Sequence, residues 1–445
     1  MQHVPTSGTS QCSRPEGSAS LLAQASVRDL RCALTSLSES HRDVPRHSTP
    51  STKARDVMAD AVIVEAVRTP IGKRNGALAD VHPVDLAGQI LRTMQERTGI
   101  DPAVVDDVVW GCVNQVGDQS VQIGRYAVLA AGWPESVAGI TVNRACGSSQ
   151  SALDFAAGMV MAGQYDVVVA GGVEHMTRVP LGSGRDLGSP FGPNVRERYA
   201  ADLTSGEFPG GDFNQGIGAE RIARRWGFSR SRLDEYAARS HELAAAATDS
   251  GAFNAQLAAV PGKADFTSDE GLRRGTTMET LAGLKPSFAE DGVIHAGNSS
   301  QISDGASAVL VATPERAKEL GLTPIVRYHS GAVAGSDPLM MLTAPIPATQ
   351  KVLRRAGLSV ADIGAFEVNE AFAPVPLAWL AETGAEPVRL NPRGGAIALG
   401  HPLGGSGARI MTTMLHQMRD NGLRYGLQTM CEGGGMANAT VVELL

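Results

Sequence analysis

The same order of secondary-structure signals runs through this chain twice. Ala61–Val67 (AVIVEAV) reads as a buried strand, and Val84–Arg97 as a helix with Leu86, Ile90, Leu91 and Met94 on one face. Val104–Val113 returns to strand, Gly147–Ala162 is a helix of small residues, and Asp166–Ala170 is a strand ending at Gly171-Gly172. About 260 residues further on the order repeats. Pro324–Tyr328 is a strand, Ala348–Ala356 a helix closed by Gly357, and Ala365–Val368 a strand running into Asn369. Gly404–Arg419 opens a helix, and Gly426–Met430 is a strand ending at Cys431 and a glycine run. Helices alternating with short apolar strands predict a parallel, helix-covered sheet. Doubling that order predicts two similar α/β halves packed into one body. Residues from about 175 to 290 have no counterpart in the second half. This insertion is polar, Gly-rich and partly helical over Gly218–Ala246, the character of a lid or cofactor-facing subdomain.

The chain has 445 residues, room for two or three domains of roughly 150 residues each. A net charge of −7 excludes a strongly basic nucleic-acid binder and leaves no polybasic membrane signal. Aromatic residues are 4%, too few for a β-sandwich core or a stacking platform, whereas 51 glycines suit an α/β enzyme with tight backbone-lined loops. No apolar run is long enough to predict a membrane span. Five cysteines (12, 32, 112, 146 and 431) are too few for a disulfide scaffold, and neither a CxxC nor a His/Cys spacing suggests zinc. A reducing compartment, with thiols available for chemistry, is the simpler reading.

Residues 1–57 contain no Phe, Tyr or Trp and are rich in Ser and Thr. Apart from an amphipathic stretch around Leu21–Leu37 they lack pattern, so they are expected to form a disordered N-terminal extension. Initiation upstream of a start at Met58 accounts for such a segment. A mitochondrial-type presequence fits less well, since Glu16, Asp29, Glu39, Asp43 and Asp56 are acidic. A regulatory segment is the third reading.

Three glycine-framed segments carry candidate chemistry. In Asn143-Arg144-Ala145-Cys146-Gly147-Ser148, Cys146 stands just before a helix whose N-terminal amides favour a thiolate. A buried structural cysteine is the competing reading. In Gly400-His401-Pro402-Leu403-Gly404-Gly405-Ser406-Gly407, one imidazole sits among glycines that let backbone approach a ligand. The repeat pairs this turn with that of Cys146, although a histidine satisfied by loop backbone has the same look. In Cys431-Glu432-Gly433-Gly434-Gly435, a second cysteine opens onto a turn whose free N–H groups suit an oxyanion hole. Two thiols and one imidazole suggest covalent catalysis with general acid/base work. A disulfide between the two thiols is the alternative.

From about Met58 to Leu445 the chain resembles a thiolase. The resemblance rests on Arg68-Thr69-Pro70-Ile71-Gly72, the Cys146 turn, Asn369-Glu370-Ala371-Phe372-Ala373, the His401 segment and the Cys431-x-Gly turn. It implies two duplicated βαβαβαββ halves in a layered α-β-α-β-α body with an inserted loop subdomain. The halves would span 58–325 and 326–445. It also implies roles. Cys146 is the nucleophile, and His401 takes its proton and helps hold the substrate oxyanion. Cys431 is the acid/base, and Asn369 positions a water beside His401. Backbone amides of Cys146 and Gly433 hold the thioester oxygen. Ser300 would contact the pantetheine part of CoA and Arg273 would lie near its adenine end, while Met341 and Phe372 would line the acyl pocket. Coenzyme A is then a co-substrate, with neither a permanently bound cofactor nor a metal.

Several features depart from the pattern of biosynthetic acetoacetyl-CoA thiolases. Glu174-His175-Met176 stands for Glu-Ser-Met, and Met341-Leu342-Thr343-Ala344-Pro345 for a smaller Gly-Thr-Gly. Ala373–Trp379 and the Cys431 turn are similar to actinobacterial lipid and steroid side-chain β-oxidation thiolases. The expectation is therefore degradation of longer or bulkier 3-ketoacyl-CoA, with acetoacetyl-CoA thiolysis or synthesis as the alternative. An acyl-carrier-dependent ketosynthase would not need Cys431 and its turn, and a silent lipid-carrying relative would lack one of the three catalytic side chains. The resemblance further implies a cytoplasmic homodimer or homotetramer acting on CoA thioesters, with possible β-oxidation partner enzymes and no nucleic-acid or membrane partner.

Overall fold

The computed structural model describes residues 59–205 and 213–445. The expected N-terminal extension lies outside the described residues. Among the described residues ten strands form one mixed sheet. They are β1 (Val62–Arg68), β2 (Gly72–Lys73), β3 (Asp107–Gly111), β4 (Ile140–Val142), β5 (Val167–His175), β6 (Ser303–Ala312), β7 (Val326–Gly335), β8 (Ala365–Val368), β9 (Tyr425–Glu432) and β10 (Met436–Leu444). The order is β4-β3-β5-β6-β1-β7-β10-β9-β8, with β2 on β6. β3 runs parallel to β4 and β5, and β8 parallel to β9, while the remaining pairs are antiparallel. The sequence reading assigned no strand to 303–312 or 436–444, and these are the antiparallel strands that close each half.

The two halves repeat one topology. β4-β3-β5-β6-β1 on one side matches β8-β9-β10-β7 on the other, and the counterpart of β4 is reduced to a parallel bridge, Phe366 to Leu390. The half-sheets join through two residue pairs of β1 and β7, Val62 with Arg327 and Ile63 with Val326.

Alternation along the strands sets the layers, because successive side chains leave opposite faces. Val167 and Val169 of β5 point into a cluster with helices α1 (Pro83–Thr98) and α2 (Ile123–Ala130). Val168 and Ala170 point into a second cluster with α3 (Ser148–Met161) and the helix Ser406–Asn421. That second cluster also takes Ala365 and Val442 from the second half-sheet. The far face of the second half-sheet (Phe366, Val368, Leu427, Ala439 and Val441) packs on the helices Pro345–Ala356 and Pro374–Thr383. The result is the layer order α-β-α-β-α, with α3 and Ser406–Asn421 as the middle layer.

The inserted region is helical where the sequence suggested, but broken. Gln215–Trp226 and Arg230–Asp249 are separate helices. Gly227 ends the first in the left-handed conformation, its N–H closing onto the Ala223 and Arg224 carbonyls. Both helices pack against the second half, and Tyr236 and Ser240 reach the loop after β8.

The close approach of β5 to the loop before Ser406–Asn421 needs glycine at 172. A Cβ there would collide with the Gly404 carbonyl oxygen and come within 2.7 Å of the Gly111 carbonyl oxygen. Both obstacles are backbone. Gly172→Ala should therefore cost about 3 kcal/mol, at the upper end for overpacking, read as a lowered denaturant midpoint with unchanged slope.

Candidate active site

Cys146 lies in the turn between β4 and α3. Asn143 builds that turn: its Oδ1 accepts the Ala145 N–H at 2.9 Å and its Nδ2 donates to the Val113 carbonyl at 3.0 Å. The Ser148 hydroxyl donates to the Ala145 carbonyl (2.6 Å) and accepts the Arg144 N–H (2.9 Å). Ala145 is held at φ 45°, a conformation an L-residue adopts at a cost of about 1–2 kcal/mol. The strained turn sends Cys146 into a buried group with Met176, Leu403, Ile410 and Met430.

His401 follows the short helix Ala396–Leu399. Gly400 has φ 105°, and a Cβ there would come within 2.5 Å of Ser303 Oγ. The His401 N–H donates to Ser303 Oγ at 3.1 Å. Ser406 fixes the ring. Its hydroxyl donates to the Pro402 carbonyl at 2.9 Å, so toward His401 Nδ1, 2.6 Å away, it accepts. The proton therefore sits on Nδ1, leaving Nε2 with its lone pair. Asn369 Nδ2 is 3.4 Å from that Nε2 and 3.9 Å from Cys431 Sγ. Asn369, His401 and Cys431 thus converge. Cys146 and Cys431 are both free thiols, which excludes the disulfide reading. The Cys431 charge acts to raise the Cys146 thiol.

Gly433 lies over the nucleophile turn, since a Cβ on it would be 3.7 Å from Ala145 Cβ. Met341, Phe372 and Cys431 share one apolar cluster, and Phe288 stacks edge-on against Phe372 at 5.8 Å. The Ser300 N–H donates to the Ala371 carbonyl at 2.9 Å, which places Ser300 beside the Asn369 turn. Arg273 is exposed, its N–H bonded to His241 Nδ1 at 3.2 Å. His175, weighed above as a mark of substrate choice, is buried in a scaffold network. It bonds the Leu78 carbonyl at 2.8 Å and the Arg178 N–H at 3.2 Å.

Two buried carboxylates that sequence reasoning gave no role hold the loops in place. Glu174 accepts from the Val113 and Gly404 N–H groups (both 2.9 Å), the Asn114 N–H (3.0 Å) and Gln119 Nε2 (2.8 Å). Glu370 accepts from Tyr236 (2.9 Å), Ser240 (2.7 Å), Asn391 (3.0 Å) and the Ile397 N–H (3.2 Å). The first ties the His401 loop to β3 and β5, and the second ties it to the insertion. Charge-assisted bonds of this kind are the strong ones.

The resting site is neutral. Burial raises the Cys146 thiol, with the Cys431 and Glu432 charges adding to it. Burial pushes Cys431 up to about 12, against the Asn369 hydrogen bond. Burial, with the Arg409 charge, lowers His401 to about 3. The expected thiolate-stabilising effect of the helix terminus is thus outweighed by desolvation. The site thus holds two thiols and a neutral imidazole.

Comparison with known proteins identifies the family. The family model "Thiolase, N-terminal domain" matches residues 61–315, and "Thiolase, C-terminal domain" matches 322–444. The chain belongs to the thiolase family. Thiolases are acyltransferases, and this one is 48% identical over 390 residues to Steroid 3-ketoacyl-CoA thiolase FadA6 of Mycobacterium tuberculosis, covering 87% of this chain and 95% of that one. It is 45% identical over 400 residues to the 3-ketoacyl-CoA thiolase of Erwinia tasmaniensis, covering 87% and 100%. Among solved structures, the Bacillus anthracis acetyl-CoA acetyltransferase superposes with a TM-score of 0.78 at 37% identity, covering 87% of this thiolase and all of that chain.

Glu432 adds a pH dependence. Its carboxyl is buried against Gly147, and neither oxygen meets a donor in good hydrogen-bond geometry among the described residues. Burial raises it to about 8. The Arg144 charge and the Asn438 N–H oppose the rise, and the Asp154 charge adds to it. It is mostly protonated at neutral pH. An acid raised in the folded state costs no stability below its ordinary pKa near 4.5, and costs progressively more up to about 8. Glu432→Gln should therefore stabilise this thiolase relative to wild type by an amount that grows from pH 4.5 to 8 in urea titrations. An unchanged difference across that range contradicts the assignment.

Proposed function

We propose that this thiolase is degradative: it cleaves 3-ketoacyl-CoA with CoA to acetyl-CoA and a shortened acyl-CoA, through an acyl-Cys146 intermediate. The convergence of Asn369, His401 and Cys431 supports the acyl-Cys146 chemistry, and similarity to 3-ketoacyl-CoA thiolases supports its degradative direction. His401 Nε2 takes the Cys146 proton, and the sulfur attacks the C3 ketone. The C2–C3 bond breaks, and its electron pair leaves as the acetyl-CoA enolate, held by His401 and an Asn369-bound water. The Cys431 thiol protonates C2. In the second half, the Cys431 thiolate takes the proton of incoming CoA, which attacks the thioester. Cys146 leaves and recovers its proton from His401. The N–H groups of Cys146 and Gly433 face the thioester oxygen. Each such fixed donor is worth roughly 3–4 kcal/mol.

The chain's halves are taken as 58–325, with the lid region about 175–290, and 326–445. Ser300 meets the pantetheine arm, Arg273 the adenine end, and Met341 and Phe372 the acyl chain. CoA enters as a co-substrate, and the steps draw on side chains and backbone amides. We place the enzyme in the cytosol as a homodimer or homotetramer. Among the described residues no helix is long and apolar enough to cross a membrane.

Similarity to a steroid 3-ketoacyl-CoA thiolase favours long or bulky acyl groups. Similarity to an acetyl-CoA acetyltransferase structure keeps acetoacetyl-CoA as the second reading. Thiolysis rates over a series from acetoacetyl-CoA to long-chain and steroid side-chain 3-ketoacyl-CoA, followed by loss of the magnesium-enolate absorbance, decide between them. Turnover should rise with length or bulk. Activity confined to acetoacetyl-CoA selects the second reading, and Cys146→Ala should abolish turnover in either case.

A further inference from the structure

Gln215 is the first residue of the helix Gln215–Trp226, in the inserted region. Asn214 caps that helix: its Oδ1 accepts the N–H groups of Gly216 (2.8 Å) and Ile217 (3.3 Å), which fixes where residue 215 points. The Gln215 carboxamide acts on the Cys146 thiol as a donor, opposing the rise that burial imposes. Its Nε2 also lies 3.4 Å from the point where Gly433 would carry a Cβ, and Ala145 Cβ lies 3.7 Å from the same point. One amide thus spans the two turns that frame the nucleophile. The Phe288 ring covers the next residue, Gly216, and stacks on Phe372.

We infer that Gln215 is a further catalytic residue, whose side-chain N–H donates first to the Cys146 sulfur and then to the oxygen of the acyl group carried on it. A carboxamide stays neutral, so it donates across the working pH range. A donor aimed at sulfur strengthens as the sulfur gains negative charge, which favours loss of the proton to His401. Once the S–C bond forms, the sulfur is a poor acceptor. The same N–H, already beside Gly433, then faces the oxygen that becomes negative when CoA attacks. No atom or electron leaves Gln215 in either step. The inserted region in this way supplies a donor to the reacting centre as well as a cover.

The inference rests on Cys146 being the nucleophile, and its test is separable from the choice of substrate. Iodoacetamide alkylation of Cys146, read by peptide mass against pH, is compared for wild type, Gln215→Met and Gln215→Glu, alongside thiolysis kinetics. Gln215→Met keeps length and removes the donor. It should slow alkylation at neutral pH about tenfold, move the alkylation midpoint up by about one unit, and lower kcat roughly 10- to 100-fold while KM changes little. Gln215→Glu keeps shape and adds a negative charge, so its midpoint should move up further. Should the Met variant fold poorly, the Glu variant decides. Wild-type alkylation profiles and kcat in the variants overturn the inference. Shifted alkylation profiles in an enzyme that turns over no 3-ketoacyl-CoA uphold Gln215 and overturn the proposed function instead.

Discussion

The site depends on two helices starting at nearly the same place between the half-sheets. α3 and Ser406–Asn421 form the middle layer, and their first turns touch. The Ala408 N–H donates to Ser149 Oγ at 2.9 Å, and a Cβ on Gly407 would strike the Gln150 backbone. The Cys146 turn precedes one helix and the His401 loop precedes the other. Close backbone contact holds the two turns together, and the Glu174 carboxylate ties the His401 loop to Val113, whose carbonyl also takes the Asn143 amide. Small residues at the contact are therefore a requirement of the chemistry as much as of the fold.

Burial that makes the contact also sets the electrostatics. The described site puts two thiols and an imidazole out of water, and each is driven toward its neutral form. A neutral site suits a reaction that passes through an enolate. Charge appears when substrate arrives, and fixed donors meet it without first having to give up a resident ion pair. Arg409 belongs to the same logic. It is buried, its guanidinium finds no hydrogen-bond partner among the described residues, and its charge helps keep His401 unprotonated.

Much of this was legible in the residues, for local reasons. Cys146, His401 and Cys431 stand in glycine-framed turns, and a turn's chemistry is carried by its neighbours in sequence. The doubled topology was legible because buried strands and small-residue helices announce themselves in short windows. What failed was non-local. β6 and β10 are antiparallel closers whose pairing lies far off in sequence. The match to β4 in the second half survives as a single bridge at Leu390. Gln215's place beside the Cys146 turn carries no local sign, because it depends on how the helix packs, with Gly216 against Phe288. His175 looked like a mark of substrate choice, yet it is bonded into the scaffold at Leu78. Glu174 and Glu370 are ordinary acids in sequence, and become organisers through donors 21 to 230 residues away.

The central claim is that Cys146 carries the acyl group while Cys431 moves protons. Rapid quenching of the enzyme with a 3-ketoacyl-CoA in the absence of free CoA, followed by peptide mass analysis, tests it directly. The account predicts an acyl adduct on the peptide holding Cys146, an unmodified Cys431, and loss of the adduct when CoA is added. An adduct on Cys431, or release of acetyl-CoA with no adduct on either thiol, contradicts it.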